Sequence, residues 1–529
     1  MLGAAPVKLD RKLHLPLLGW LAAVVLLALV AALLGVARHS SKGLLVTQEN
    51  VLRVDWQQIV GRGPTWYGVE YSWVDQDRDL FLERYRLLSP NLLRVQISQE
   101  YFEPANDNAD PNLAQFDFDQ LTVPLDSQEG KTITFRDMFA SLAKEFPDMH
   151  FHLNIWLAAR WNAANPEGYL GLGGAFPPLN YAEHAEFVRE LARWLVESCG
   201  IAPQRLSFSF TNEPNLKPFF TGSQAELVRM AAETRRALDQ VSPHIRMDGL
   251  DEVHGTALTE TFYPLRPAGC CGRWTFHAYE REVDALWSAL QRRLERLSAF
   301  GPVWVTEFAD TANGSPDAEM DFSTREAALG FAVLLGRLWS SGIDGIVHFR
   351  LADSYLQGQP LEGWAGHGLF ADWRGTKSKD GEPYGLYPAF WVFANFYNEM
   401  AGGQVIPTTN PDGLVAAASR HSNRSPACLV LWLTNPGAAA YTATLQIVNF
   451  PSPQAELLIL DNLSGREPIE TRLVAGAPLA FQINMPPHST YTLQLRTKSS
   501  ITAFEVGLSQ LRRLYLPLVN RQDLWSAAC

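Results

Sequence analysis

Cysteine, basic charge and phosphate-binding glycine motifs are all scarce in this chain. Five Cys in 529 residues are too few for a disulfide framework, and an odd count leaves at least one outside any intrachain pair. Cys199, Cys428 and Cys529 are scattered. Cys270 and Cys271 are adjacent, able at most to form a strained vicinal bridge, and have no ligand partners at zinc spacing, so they read as small buried or loop residues. Lys and Arg number 44 against 56 Asp and Glu, a formal charge of -12, which argues against a nucleic-acid partner because a phosphate backbone is drawn to a basic excess. No Gly-rich fingerprint follows any strand-like run, which removes the usual support for a doubly wound nucleotide-binding sheet. A neutral small or polymeric ligand fits what is left.

Long apolar runs are missing too, with one exception. Leu15 to Ala37 is an uncharged stretch of 23 residues, enough to span about 34 Å as a helix at roughly 1.5 Å per residue. Lys8, Arg11 and Lys12 precede it, so the positive-inside tendency predicts a cytoplasmic tail over 1–14, a single transmembrane anchor over 15–37 and a body outside the cell membrane. A cleaved signal peptide ending at Gly35-Val36-Ala37 is the competing reading, but its apolar region would be unusually long. No Cys follows the segment closely, so a bacterial lipid-attachment signature is absent.

The remaining length exceeds one ordinary core and predicts at least two domains. After a linker and first strand over 38–61, residues 62–400 alternate β-rich runs with amphipathic helical stretches. The runs are WYGVEYSW from Trp66, LLRVQIS from Leu92, HFHLNIW from His150, LSFSFTNEP from Leu206, RMDGLDE from Arg246, WTFHAYE from Trp274, VWVTEFAD from Val303 and GIVHFRLAD from Gly345. Helical candidates over 181–198, 223–240, 283–299 and 325–340 lie between them. Eight strand-helix units suit a (β/α)8 TIM barrel. From about residue 401 the helical pattern stops: LVAAAS, ACLVLWLTN, YTATLQIV, AELLILDN and STYTLQL are short β runs between Pro, Gly and Asn turns, which predicts a C-terminal β-sandwich over 401–497. The strand-like segment from Val51 to Val60 is placed to pair with it. Residues 498–529 form a tail to which the pattern assigns no role.

In a barrel the chemistry belongs at the C-terminal strand ends. Period-two alternation puts Arg94, Gln96 and Ser98 on the inner face of the second strand, and Ser207, Ser209, Thr211 and Glu213 on that of the fourth. It groups Thr275, His277 and Tyr279 on the sixth, and Val303, Val305 and Glu307 on the seventh. Two carboxylates then meet at one mouth, with an arginine, a histidine and a tyrosine between them. Those are the parts that hydrolysis of a glycosidic bond needs: one acid kept protonated for the leaving group, one ionised to attack the anomeric carbon. An arginine beside the attacking carboxylate keeps it ionised, and a tyrosine hydroxyl can hold its orientation.

Asn212-Glu213-Pro214, Thr306-Glu307-Phe308, Arg94 and His277-Ala278-Tyr279, taken in that strand order, resemble glycoside hydrolase clan A, the retaining (β/α)8 glycosidases. Asn215, extending the first motif to Asn-Glu-Pro-Asn, resembles the xylosidase-like family 39. The resemblance covers the barrel region and implies Glu213 as general acid/base, Glu307 as nucleophile and Asn212 as donor to the sugar 2-hydroxyl. It further implies that Tyr279 hydrogen-bonds Glu307, that Arg94 keeps it ionised and that His277 contacts substrate or orders this network. It implies neutral oligosaccharide or polysaccharide substrates, with neither a metal nor an organic cofactor.

Blander readings stand beside each residue. Arg94 can be a structural ion-pair residue and His277 a satisfied core imidazole, whereas an ionisable Glu307 closing Val-Trp-Val-Thr is costly without a purpose. Trp156, Asn154 and Glu70 are candidate subsite residues, and Trp161, Trp364 and Trp373 candidate sugar platforms in long loops. His150-Phe151-His152 has the form of a metal-ligand pair, but it begins the third strand, at the floor of the barrel. A non-catalytic carbohydrate-binding or envelope protein on a degenerate barrel is the rival of a different class, and a transglycosylase would share the same covalent intermediate.

Overall fold

A computed structural model describes residues 50–70, 78–113, 115–116, 118, 134–280, 282–310, 322–353, 367–371, 381–382, 384–409, 411–422 and 426–497. The apolar segment 15–37, the tail 498–529 and both Trp364 and Trp373 lie outside these residues. Among the described residues no helix is long and apolar enough to cross a membrane.

Eight strands alternate with helices from Trp66 onward. The strands are β1 (Trp66–Glu70), β2 (Leu92–Ser98), β3 (His150–Leu157), β4 (Leu206–Ser209), β5 (Arg246–Met247), β6 (Trp274–Glu280), β7 (Val303–Asp310) and β8 (Gly345–His348). The helices that follow them are α1 (Arg78–Leu88), α2 (Phe135–Glu145), α3 (Tyr181–Glu197), α4 (Gln224–Val241), α5 (Ala257–Phe262), α6 (Val283–Leu297), α7 (Arg325–Leu338) and α8 (Pro388–Asn395). Helix starts are set locally: Ser223 and Glu226 form a reciprocal capping box on α4, and Thr134, Asn180 and Thr324 cap α2, α3 and α7.

The sheet is parallel, in the order β6-β7-β8-β1-β2-β3-β4-β5. Its two edges meet beyond the short β5, where Glu252 bridges Phe276 and the His277 N–H donates to the Glu252 carbonyl at 3.0 Å. This is the (β/α)8 arrangement that the alternation predicts. Outward residues such as Leu93, Val95, Ile97, Phe151, Leu153, Phe208 and Phe276 form one core with the helices, burial that supplies the main driving force for folding. The strand five and strand eight runs are longer in the sequence than in the sheet, where regular pairing ends at Met247 and His348.

The barrel floor is filled by Trp66, His150 and Trp304, with the Arg273 guanidinium 3.8 Å from the Trp304 ring centroid. Gly345 must be glycine here, since a Cβ would fall 2.5 Å from the Trp304 indole. His150 and His152 share the Ser207 hydroxyl, and His152 lies 3.1 Å from Asp248. That pair is thus knitted into the floor, far along its strand from the mouth.

The C-terminal region is strand-rich, in two sheets. One has three strands, Val51–Asp55, Tyr441–Val448 and Leu479–Met485, and the other seven, running from Pro468–Ala475 at one edge to Gly61–Arg62 at the other. Leu52, Val54, Leu431, Leu445, Leu457 and Ile483 belong to the core between them. The segment before the barrel therefore does pair with this region, Val51–Asp55 lying parallel to Tyr441–Val448. Two tryptophans tie it to α7: Trp432 Nε1 donates to the Ala332 carbonyl at 2.9 Å and Trp339 Nε1 to that of Ala418 at 2.8 Å. Cys270 and Cys271 are bonded to one another, so the vicinal bridge is present.

Candidate active site

Arg94, on the inner face of β2 and fully buried, is the hub of the mouth. Its Nη1 donates to Glu307 Oε1 at 2.5 Å and also to Glu70 Oε2; its Nη2 donates to Asn212 Oδ1 at 2.9 Å and reaches Asp251 Oδ2 at 3.5 Å. One guanidinium thus faces three buried carboxyls, with the His277 ring beside two of them. Burial pushes Glu70 up to about 8, with repulsion from Glu307 adding to it, and Glu70 is the group that carries the proton at neutral pH. Burial opposes ionisation of Asp251 as well, but Arg94 and His277 outweigh it and hold that carboxyl below its usual range.

Glu307 reaches the mouth by a route that strict alternation misses. Val303 and Val305 pack outward with the helices, while Trp304 points to the barrel floor. That corrects the expected grouping of Val303, Val305 and Glu307. Between β6 and β7 the register slips: Phe276 faces Val305 but His277 faces Glu307, leaving Thr306 as the extra residue. The bulge turns both Thr306 and Glu307 inward, Thr306 Oγ1 donating to Asp251 Oδ1 at 2.6 Å. The Tyr279 hydroxyl, kept protonated because burial and the Glu307 charge push its pKa far up, donates to Glu307 Oε2. Gln96 adds a longer contact, Nε2 to Glu307 Oε1 at 3.4 Å.

Glu213 also escapes the alternation. Regular β4 ends at Ser209, and the chain then turns, with Glu213 at φ 41, in the left-handed region. Its N–H donates to the Asp251 carbonyl at 3.2 Å and its own carbonyl accepts from Leu216 at 2.8 Å. Asn215 locks the turn to the neighbouring loop, donating to the Val253 carbonyl at 2.6 Å and accepting from the Val253 N–H at 3.2 Å. This turn lets Asn212 face Arg94 while Glu213 faces His277, where Nδ1 lies 2.7 Å from Glu213 Oε1. Burial raises the Glu213 pKa above the usual carboxyl range, against the opposing pull of His277. His277, which burial alone would lower, is raised overall by Glu307 and Glu213.

A carboxylate oxygen of Glu213, a ring nitrogen of His277 and a carboxylate oxygen of Glu307 lie within 4.8 Å of one another. That spacing would suit a metal, but the Arg94 guanidinium already stands against Glu307 and the His277 ring, and its charge opposes a cation there. What the arrangement offers is one carboxyl whose pKa burial raises and a second carboxyl firmly held by an arginine and a tyrosine, on facing walls.

Of the residues singled out by sequence, Arg94, Asn212, Glu213, His277, Tyr279 and Glu307 come together. Trp156 stands beside them: its ring lies 5.9 Å from Tyr169, which stacks on Phe219 at 5.0 Å. Tyr169, pushed up to about 12 by burial and by the charges of Glu213 and Glu307, connects this aromatic wall to the carboxylates. Asn154 turns to structure instead, donating to Asp251 at 2.6 Å, and Trp161 hydrogen-bonds the Glu103 carbonyl at 2.9 Å. Trp364 lies outside the described residues. Asp251, Gln96 and Tyr169 were not singled out as site residues; for Asp251 the signal was available, since RMDGLDE is a third run ending in acids.

No protein-family model and no curated protein matches the sequence. The fold does match solved structures. A glucosidase from Croceicoccus marinus is 14% identical with a TM-score of 0.62, the match covering 85% of this chain and 100% of that one. A GH30 endoxylanase from Clostridium papyrosolvens is 14% identical at a TM-score of 0.58, over 84% of this chain and 100% of the other. A GH39 enzyme from Xanthomonas axonopodis pv. citri is 13% identical at 0.60, over 85% and 98%. The chain therefore resembles clan A glycoside hydrolases of families 30 and 39, and at these identities the likeness is one of fold.

Proposed function

We propose that the protein is a retaining glycoside hydrolase, with Glu213 as general acid/base and Glu307 as nucleophile. The observation that carries this is the pair itself: a carboxylate oxygen of each glutamate lies within 4.8 Å of the other, a closeness that suits the roughly 5 to 5.5 Å between carboxyl groups in retaining enzymes. Their surroundings split the roles. Glu213, raised by burial, supplies the proton to the departing oxygen; Glu307, held by Arg94 and Tyr279, attacks the anomeric carbon, and the glycosyl-enzyme is released by a water that Glu213 then deprotonates. Asn212 binds the sugar 2-hydroxyl. The substrate class is a neutral β-linked oligosaccharide or polysaccharide, stacked against the wall of Trp156 and Tyr169, with Trp364 as a further platform. Residues 15–37 anchor the enzyme in the cell membrane with the catalytic region outside.

The test is labelling and kinetics together. A 2-fluoro glycoside that traps the covalent intermediate is expected on Glu307, and Glu213→Gln and Glu307→Gln are expected to lose turnover of aryl glycosides. Labelling of Glu213, or unchanged turnover in both variants, would overturn the assignment. For the anchor, full-length protein is expected in the membrane fraction and a form lacking residues 1–37 in the soluble one.

A further inference from the structure

A second cluster of acids lies between the loop after β2 and the start of α3. One carboxylate oxygen each from Glu103, Asp107 and Glu183 falls within 4.8 Å of the others. Facing them is Glu186, 0% exposed, whose oxygens meet no N–H or O–H donor and whose carboxyl lies against that of Glu183. Glu103 Oε1, Asp107 Oδ1 and Glu183 Oε2 are also buried without donors. The partners that exist are few: Gln99 Nε2 donates to Glu103 Oε2 at 2.7 Å, the Gln115 N–H to Asp107 Oδ2 at 2.6 Å and Asn180 Nδ2 to Glu183 Oε1 at 3.5 Å, with the Asp107 N–H also directed at the Glu103 carboxyl. The guanidinium nearest in the described ion pairs, Arg189, stands 4.0 Å from Glu186 and is held at Nε by Glu190 at 2.8 Å.

Five buried acceptor oxygens on four neighbouring carboxyls, none meeting an N–H or O–H donor, are costly unless something positive sits among them. We propose that Glu103, Asp107, Glu183 and Glu186 form a calcium site that ties the loop after β2 to the first turns of α3. All-oxygen donors select a hard cation, and opposite ligands on calcium stand about 4.6 to 5.2 Å apart, against about 4.0 to 4.2 Å on magnesium. The alternative filling is protons: burial pushes Glu103 up to about 7 and Glu186 up to about 8. A cation displaces those protons, so binding strengthens as pH rises. The ion would brace the mouth, because Gln99 Oε1 accepts from the Ala159 N–H at 3.4 Å and Trp161 Nε1 reaches the Glu103 carbonyl at 2.9 Å.

The experiment uses the full chain, stripped with a chelator and melted with and without calcium chloride at mildly alkaline pH. Calcium is expected to raise the Tm by about 2 °C or more, with a smaller shift at mildly acidic pH, and terbium is expected to bind in its place and luminesce on excitation of Trp161. Glu183→Gln combined with Glu186→Gln is expected to abolish both responses. Should that variant fail to fold, calorimetry of the unaltered protein in buffers of differing ionisation enthalpy reads the released protons directly. A Tm indifferent to calcium at both pH values, or a response to magnesium equal to that to calcium, overturns the proposal and leaves a cluster held by shared protons.

Discussion

His277 touches both glutamates: Nδ1 lies 2.7 Å from Glu213 Oε1, while Nε2 lies 3.4 Å from Glu307 Oε1 and 3.3 Å from Arg94 Nη2. The imidazole is therefore coupled to the acid and to the proposed nucleophile at once. Through this contact Glu213 helps raise the His277 pKa, and His277 pulls that of Glu213 down against burial.

The first prediction concerns pH. In the proposed mechanism activity needs the proton on Glu213, so kcat/KM is expected to fall on the alkaline side as that proton leaves. His277 lowers the Glu213 pKa through its hydrogen bond and charge; removing it raises that pKa. In His277→Ala the alkaline limb of kcat/KM is thus expected to move to higher pH. A pH-rate series on the two proteins checks this, and a limb that stays put or moves down counts against the coupling.

Leaving groups separate the two glutamates. With Glu213 as the proposed acid, its removal forces the departing oxygen to leave unprotonated, which costs about 10²–10⁴-fold for a poor leaving group and much less for an activated phenol. Glu213→Gln is therefore expected to depend steeply on leaving-group acidity in its glycosylation step. Glu307→Gln has no covalent route for any substrate, so its loss is expected to be uniform across the series. Equal slopes in the two variants would contradict the division of roles.

Arg94 carries a stability prediction. Arg94→Met keeps most of the buried stem but leaves Glu307 and Asp251 without their cation, a change expected to cost about 3–5 kcal/mol at neutral pH. The sign with pH follows from Asp251, whose folded pKa is lowered: its contribution is present above the unfolded value and is lost as pH falls through the folded one. In the variant the stranded carboxyls take up protons instead, so the gap between the two proteins narrows as pH falls from 7 towards about 4. Urea unfolding at both pH values measures it, and a neutral-pH loss under about 1 kcal/mol would show that another group compensates the carboxylates.

How much of this the sequence carried depends on how local each cause is. The strand-helix alternation, the inward faces of β2 and β6 and the pairing of Val51–Asp55 with the later strands all follow from patterns spaced two or three to four residues apart. Glu307 was assigned inward by counting from Val303, and the count had the wrong parity; the bulge at Thr306, set by pairing with β6, restored the outcome. The acidic end of RMDGLDE marks Asp251 as a candidate, but its role lies in its contacts with Arg94, Asn154 and Thr306, three residues on other strands. A neighbourhood of that kind is a property of closure, and no window along the chain contains it.

Glu213 itself is held at φ 41, where a side chain with a Cβ is disfavoured by about 1–2 kcal/mol. The turn imposes this because Asn215 clamps it to Val253 and the Glu213 N–H is committed to Asp251, and the same geometry lets Asn212 and Glu213 serve one cavity. Strain of this sort concentrates where a site needs it. Glycine tolerates that backbone and alanine does not, so Glu213→Gly is expected to be more stable than Glu213→Ala by about 1 kcal/mol, although both lose the acid. Chemical denaturation of the pair decides it: alanine equal to or better than glycine would mean that the turn relaxes once the carboxylate is gone, and that His277, rather than the backbone, fixes the Glu213 conformation.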